Sequence, residues 1–193
     1  MKKKEALKPI IYQLLPRLFA NYNPEPVKDG TIEQNGSGRL NDITPGILRQ
    51  IRSLGATHVW YTGVIEHAHT PDYTRYGIPR HNPHIIKGKA GSPYAITDYY
   101  DIDPDLAVDV PSRIKEFERL VIRTHRAGLK VIIDFVPNHV GREYHSDARP
   151  KGIEDLGQGD NKEMFFDPNN NFYYIPRQQF SPWEVDLGQG ADA

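Results

Sequence analysis

An α/β fold with a parallel sheet is what this 193-residue sequence predicts. Between residues 10 and 139 strand-like and helix-like stretches alternate as strand, helix, strand, loop, helix, strand. Such alternation implies parallel strands joined by right-handed crossovers. Val131-Ile132-Ile133 is an unbroken β-branched run, the pattern of a strand buried on both faces. Asp134 interrupts it and Pro137 ends it. Asp134, Asn138 and His139 therefore gather at one strand's C-terminal end, where α/β enzymes place their chemistry.

Ile10 to Leu15 read as the first strand, closed by Pro16. Residues 20–41 are rich in Asn, Pro and Gly and read as a long loop. Thr44-Pro45 supplies an N-cap and a proline at the first helical position. Ile47, Leu48, Ile51 and Leu54 then recur at helical spacing, and Gly55 is placed to end that helix. Thr57 to Tyr61 form the second strand. Residues 62–109 read as a long connection, rich in aromatic and histidine side chains, and loops of that length are usually functional. Asp109 and Pro111 open a second helix with Ile114, Phe117, Leu120, Val121 and Thr124 on one face. Arg113, Lys115, Glu116, Arg119 and Arg123 fall on the other face, and Gly128 ends the helix. After His139 no helical pattern returns, and residues 141–193 read as an irregular lobe.

The composition bounds the rest. With 38% hydrophobic and 25% charged residues the chain is globular, and a formal charge of −1 gives no positive field to attract nucleic acid. The absence of cysteine excludes disulfides, thiolate metal sites and cysteine nucleophiles. The apolar stretch behind Lys2 to Lys4 is short, is closed by Pro16-Arg17 and has no cleavage site, so no signal peptide is expected. No apolar run approaches a membrane span. A soluble, cytoplasmic protein is the resulting expectation. Gly36-Ser37-Gly38 lacks the lysine and following helix of a phosphate loop. His67-x-His69 and His81-x-x-His84 have zinc-like spacing but no third ligand nearby in sequence, so a sugar-facing or solvated loop is the expectation there.

Asp134-Phe135-Val136-Pro137-Asn138-His139 resembles the Asp-x-x-x-Asn-His signature of the α-amylase superfamily, retaining glycoside hydrolases built on a (β/α)8 barrel. Four further stretches agree in order. They are Ile11-Tyr12-Gln13 with Pro16, Arg17 and Phe19; Gly55 to Thr62; Tyr94, Asp98-Tyr99 and Ile102-Asp103-Pro104; and Gly128 to Asp134. The resemblance covers residues 10 to 140. It implies the N-terminal part of a TIM barrel, about three strands and two helices, with residues 1–139 in the barrel and 140–193 beginning an inserted lobe after strand three.

The resemblance also implies roles. Tyr94 would stack beneath a sugar ring, and His139 would donate a hydrogen bond to a hydroxyl of the same sugar. Asp134 would be a site-supporting carboxylate. Asn138, together with Asp186 in Val185-Asp186-Leu187-Gly188, would supply oxygens to a calcium ion, which wants about six to eight of them. The family's nucleophile follows strand four and its acid/base strand five, yet no Gly-Phe-Arg-x-Asp type segment occurs in the 193 residues. No catalytic carboxylate is therefore expected within them, and the chain alone is expected to be inactive. The substrate class implied is an α-glucan or oligosaccharide. The alternative is a non-catalytic carbohydrate-binding chain that needs a complementing one, with self-association through an open barrel edge.

Overall fold

The computed structural model describes residues 8–177. In chain order they form β1 (Ile11–Leu14), α1 (Pro16–Phe19), α2 (Ile32–Asn35), α3 (Pro45–Ser53), β2 (His58–Tyr61), β3 (Ile65–His67), β4 (Ile96–Ile102), α4 (Arg113–Arg126) and β5 (Lys130–Ile133). They divide into two compact units. Unit 1 holds the described residues up to 66 together with 102–136, and unit 2 holds 67–101 with the described residues from 137 onward.

Unit 1 is the α/β unit. β1, β2 and β5 make a parallel sheet in that order, with Tyr12 opposite Val59 and Val59 opposite Val131. α3 carries the chain between β1 and β2, and α4 between β2 and β5. α3 starts as its sequence dictates: Thr44 Oγ1 accepts from the Ile47 N–H and Pro45 occupies the first turn. Gly55, at φ +90°, follows the helix in the left-handed region that glycine adopts without strain. Leu48 and Ile51 of α3 are buried with Leu40, Ile43, Val59 and Leu120, while Leu54 is 72% exposed and does not join that face.

Two other parts of unit 1 differ from the sequence pattern. On α4 the buried positions are Arg113, Glu116, Leu120 and Thr124, whereas Ile114 is exposed. Glu116 is buried because it is used. Its carboxylate accepts from the Val108 and Asp109 N–H groups and from Asn41 Nδ2, at 2.8–3.0 Å. Asp109 itself makes no side-chain cap, and a 3-10 turn at Val110–Ser112 precedes the helix. β5 has one hydrogen-bonded neighbour among the described residues, β2, and Ile133 is exposed rather than buried on both faces. Asp103 and Asp105 are wholly buried, with Arg17 Nη2 at 2.8 Å from Asp105 and 3.6 Å from Asp103.

The connection read as a loop between residues 62 and 109 contains regular structure. β3 and β4 form a two-stranded sheet, and 3-10 turns lie at Thr74–Tyr76, Pro83–Ile85 and Pro104–Leu106. β4 escapes a hydrophobic reading because Asp98 and Asp101 sit inside it and are buried.

Unit 2 is assembled differently. Its buried aliphatic side chains are few, chiefly Ile78, Ile86 and Ile96, and they are accompanied by His67, His69, His81, Thr97 and Asp98. From 137 to 177 there is neither helix nor strand. Asx and Gly turns organise that segment instead. Asp160 accepts from the Asn171 and Phe172 N–H groups, from Asn171 Nδ2 and from the Tyr174 hydroxyl.

Candidate functional site: the strand ends and the lobe

In unit 1 the strand ends place Asp134 one residue beyond β5. Its Oδ1 accepts from the Trp60 indole Nε1–H and its Oδ2 from the Gly63 N–H at 3.1 Å. Both donors come from β2 or the residues just after it. The carboxylate therefore ties the C-terminal ends of two neighbouring parallel strands, meeting the demand that a half-buried carboxylate be hydrogen-bonded. Retaining glycoside hydrolysis needs two carboxyl groups roughly 5 Å apart, one of them free to attack carbon. Asp134 has each oxygen committed to a donor, an arrangement suited to holding architecture.

Unit 2 carries Tyr94, Asn138 and His139. Tyr94 lies two residues ahead of β4 and is 47% exposed, so much of its ring surface is open. His139 Nδ1 lies 2.8 Å from Asn138 Oδ1. An amide oxygen only accepts, so Nδ1 carries the proton and Nε2 is the nitrogen left for a ligand. The neutral ring would accept from a hydroxyl there, and the protonated ring would donate. The His139 carbonyl accepts from the Tyr99 hydroxyl at 3.1 Å. The residues after His139 return to the start of β4, where the Gly141 N–H donates to the Ile96 carbonyl at 2.6 Å.

The donors named by the sequence do not by themselves fit calcium. Asn138 offers one oxygen, already accepting from His139, and Asp186 lies outside the described residues. A carboxylate pair that the sequence reading missed lies elsewhere in unit 2, where Asp101 and Asp147 bring oxygens within 4.8 Å of each other. No sequence spacing signals that pair, because 46 positions separate its members (147 − 101). Of the four histidines expected to face sugar or solvent, His84 is exposed and the other three are instead packed. His67, His69 and His81 are buried, His69 Nδ1 is 2.8 Å from the His67 carbonyl, and the rings of His69 and His81 lie 5.5 Å apart. Among the described residues no histidine joins a group of three metal-type ligands.

A cleft of about 420 Å³ opens in the lobe between His145 and Ile153, and none of the sequence-predicted site residues lines it. Nearby, the Tyr144 hydroxyl is pushed up to about 12. Burial is the main cause, opposed by a backbone hydrogen bond at Tyr99 and reinforced by the charges of Asp98 and Asp155. Asp160 is driven the other way. Burial alone would raise it, but the donors on Asn171, Phe172 and Tyr174 together outweigh that and hold the carboxyl at about 2.

Comparison with known proteins decides the family. The model described as alpha amylase, catalytic domain, matches residues 13–183. The chain belongs to the α-amylase family. It is 30% identical over 200 residues to Maltase 1 of Drosophila virilis, covering 93% of this chain and 26% of that protein. It is 43% identical over 134 residues to the amino acid transporter heavy chain SLC3A1 of Rattus norvegicus, covering 69% of this chain and 14% of that one. Among solved structures it is similar to an α-amylase from Lactobacillus plantarum, with 26% identity and a TM-score of 0.47 over 70% of this chain and 24% of that one. The chain thus spans 26% or less of each of these relatives. In this α-amylase-family chain, β1, β2 and β5 with α3 and α4 are part of the family's (β/α)8 barrel. No helix among the described residues is long and apolar enough to cross a membrane.

Proposed function

We propose that the chain is the N-terminal portion of a retaining hydrolase of α-glucosidic bonds in starch-like glucans, and that it contributes part of a sugar subsite without the catalytic carboxylates. The family match over residues 13–183 is the observation that carries this reading. Tyr94 offers an open ring to the C–H face of a pyranose. His139 offers Nε2 to one of its hydroxyls, with Nδ1 held by Asn138. Asp134 supports the strand ends through Trp60 and Gly63. The nucleophile and the acid/base come from later barrel strands, a reading supported by the lack of a Gly-Phe-Arg-x-Asp type segment in the 193 residues. A calcium ion would need oxygens besides that of Asn138, with Asp186 as a second donor, and the chemistry described here does not depend on it.

The test has two arms. The 193-residue chain should show no turnover of starch or maltoheptaose, and turnover abolished by a substitution within the chain would overturn the division of labour. Maltoheptaose binding, followed by isothermal titration, should fall at least tenfold in both Tyr94→Ala and His139→Ala. Unchanged affinity in both variants would remove the subsite.

A second reading is that the chain is non-catalytic and binds carbohydrate only with a complementing chain. One observation favours it: a relative sharing 43% identity carries the name of a transporter heavy chain rather than of a hydrolase. The sheet edges fit such pairing. β1 and β5 are the outer strands, and Ile11, Ile133 and Phe135 are 48%, 42% and 70% exposed. Light scattering showing a monomer at all concentrations would count against it.

A further inference from the structure

We infer that Tyr99 and Gly141 are positioning residues for His139, fixing where its imidazole stands relative to the Tyr94 ring. The inference deepens the proposed sugar subsite and rests on that reading for its functional meaning. Four consecutive residues at the start of β4 each hold one residue of the segment 139–148. The Ile96 carbonyl accepts from the Gly141 N–H at 2.6 Å, and the Thr97 carbonyl from the His145 N–H at 3.0 Å. Asp98 Oδ2 accepts from the Ala148 N–H at 3.1 Å, and the Tyr99 hydroxyl donates to the His139 carbonyl at 3.1 Å. Tyr94 lies two residues ahead of this strand, so one clasp joins the segment bearing the stacking ring to the segment bearing the imidazole.

Two members of the clasp act closest to His139. The Tyr99 hydroxyl holds the residue's own backbone, while its ring rests against Tyr144 at a centroid distance of 5.7 Å. Gly141, two residues on, makes the close approach possible. A Cβ there would stand 2.9 Å from the Ile96 carbonyl oxygen and 3.0 Å from that of Ala95, and both are backbone atoms. No side chain fits without moving the 139–148 segment away from the start of β4, and Gly141 is required for packing rather than for an unusual φ. With Nδ1 held by Asn138 and the carbonyl by Tyr99, His139 is restrained at both ends. Such restraint lowers the ordering cost of binding.

The experiment uses the full 193-residue chain. His139 imidazole resonances are assigned by comparison with His139→Ala, then followed in Tyr99→Phe, in Gly141→Ala and in the control Tyr61→Phe, which lies in unit 1 outside the clasp. Tyr99→Phe removes one oxygen and keeps the ring on Tyr144. It should move the His139 resonances and weaken maltoheptaose binding roughly three- to tenfold. Gly141→Ala should do more, and Tyr61→Phe should lower stability without moving either readout. Folded Tyr99→Phe and Gly141→Ala chains with unchanged His139 resonances would overturn the inference. If Gly141→Ala fails to fold, Tyr99→Phe decides alone. Resonances that move while His139→Ala leaves sugar affinity intact would sink the subsite reading and leave the positioning standing.

Discussion

Unit 1 and unit 2 reach compactness by different chemistry. In unit 1, Leu40, Ile43, Leu48, Val59 and Leu120 are fully buried around a parallel sheet and two helices, and the buried carboxylates serve those elements at their ends. In unit 2 the aliphatic core shrinks to a few isoleucines. Order there comes from carboxylates and carbonyls that take backbone N–H groups across long sequence separations. The contrast teaches where information about a fold resides. Apolar burial is written as periodicity along the chain, whereas a side chain that caps distant backbone looks in sequence like any other Asp or Asn of a loop.

The contrast can be broken or sharpened by perturbing each unit in its own currency of contacts. The largest effect is expected from Leu48→Ala in unit 1, about 2–5 kcal/mol of stability by urea unfolding, since it empties a fully buried site. Asp98→Ala should be next. It removes the acceptor for the Tyr100 and Ala148 N–H groups, at a cost of about 1.5–3 kcal/mol, read as lost amide protection around Ala148. A neutral result would mean that unit 2 is held by apolar contacts after all.

Smaller effects come from titration. The Tyr61 hydroxyl and Thr124 Oγ1 share a hydrogen bond at 2.6 Å, and burial pushes the phenol up to about 12, opposed by Thr124 and the Arg123 charge. A group raised on folding contributes stability in full below its unfolded value near 10, and loses it as the pH climbs through about 12. Unit 1 should therefore weaken between those limits, with tyrosinate absorbance and circular dichroism changing together. Tyr61→Phe should remove that dependence for about 1 kcal/mol. The smallest and most local change is at Asp160, whose carboxyl is held at about 2. Its contribution is present above its ordinary value near 3.8 and disappears as the pH falls through about 2. Exchange of the Asn171 and Phe172 amides should accelerate in that window, and should already be fast at neutral pH in Asp160→Ala.

The same division explains what could be read in advance. The Thr44-Pro45 start, the stop at Gly55 and all three barrel strands were legible, because cap chemistry and β-branched runs act locally. The α4 face was misassigned at Arg113, Glu116 and Ile114, since Glu116 is buried by partners at Asn41, Val108 and Asp109 that helical spacing does not register. β4 was hidden by its buried aspartates. Asp134, Asn138 and His139 could be named as candidates from one motif and Tyr94 from a separate stretch ahead of β4. The motif did not reveal that Trp60 and Gly63 hold Asp134, or that Tyr99 holds His139.

The Trp60–Asp134 bond makes the end of the parallel sheet visible to light. An indole's emission wavelength follows the electric field along its ring, and a carboxylate at the indole N–H is a strong, fixed source of field. The chain has two tryptophans, so Trp183→Phe would leave Trp60 as the sole indole. Its emission would then report any slip of β5 against β2, and Asp134→Asn should shift that emission even where the fold is unchanged. The residue that closes the strand ends thus also equips the parallel sheet with its own optical strain gauge.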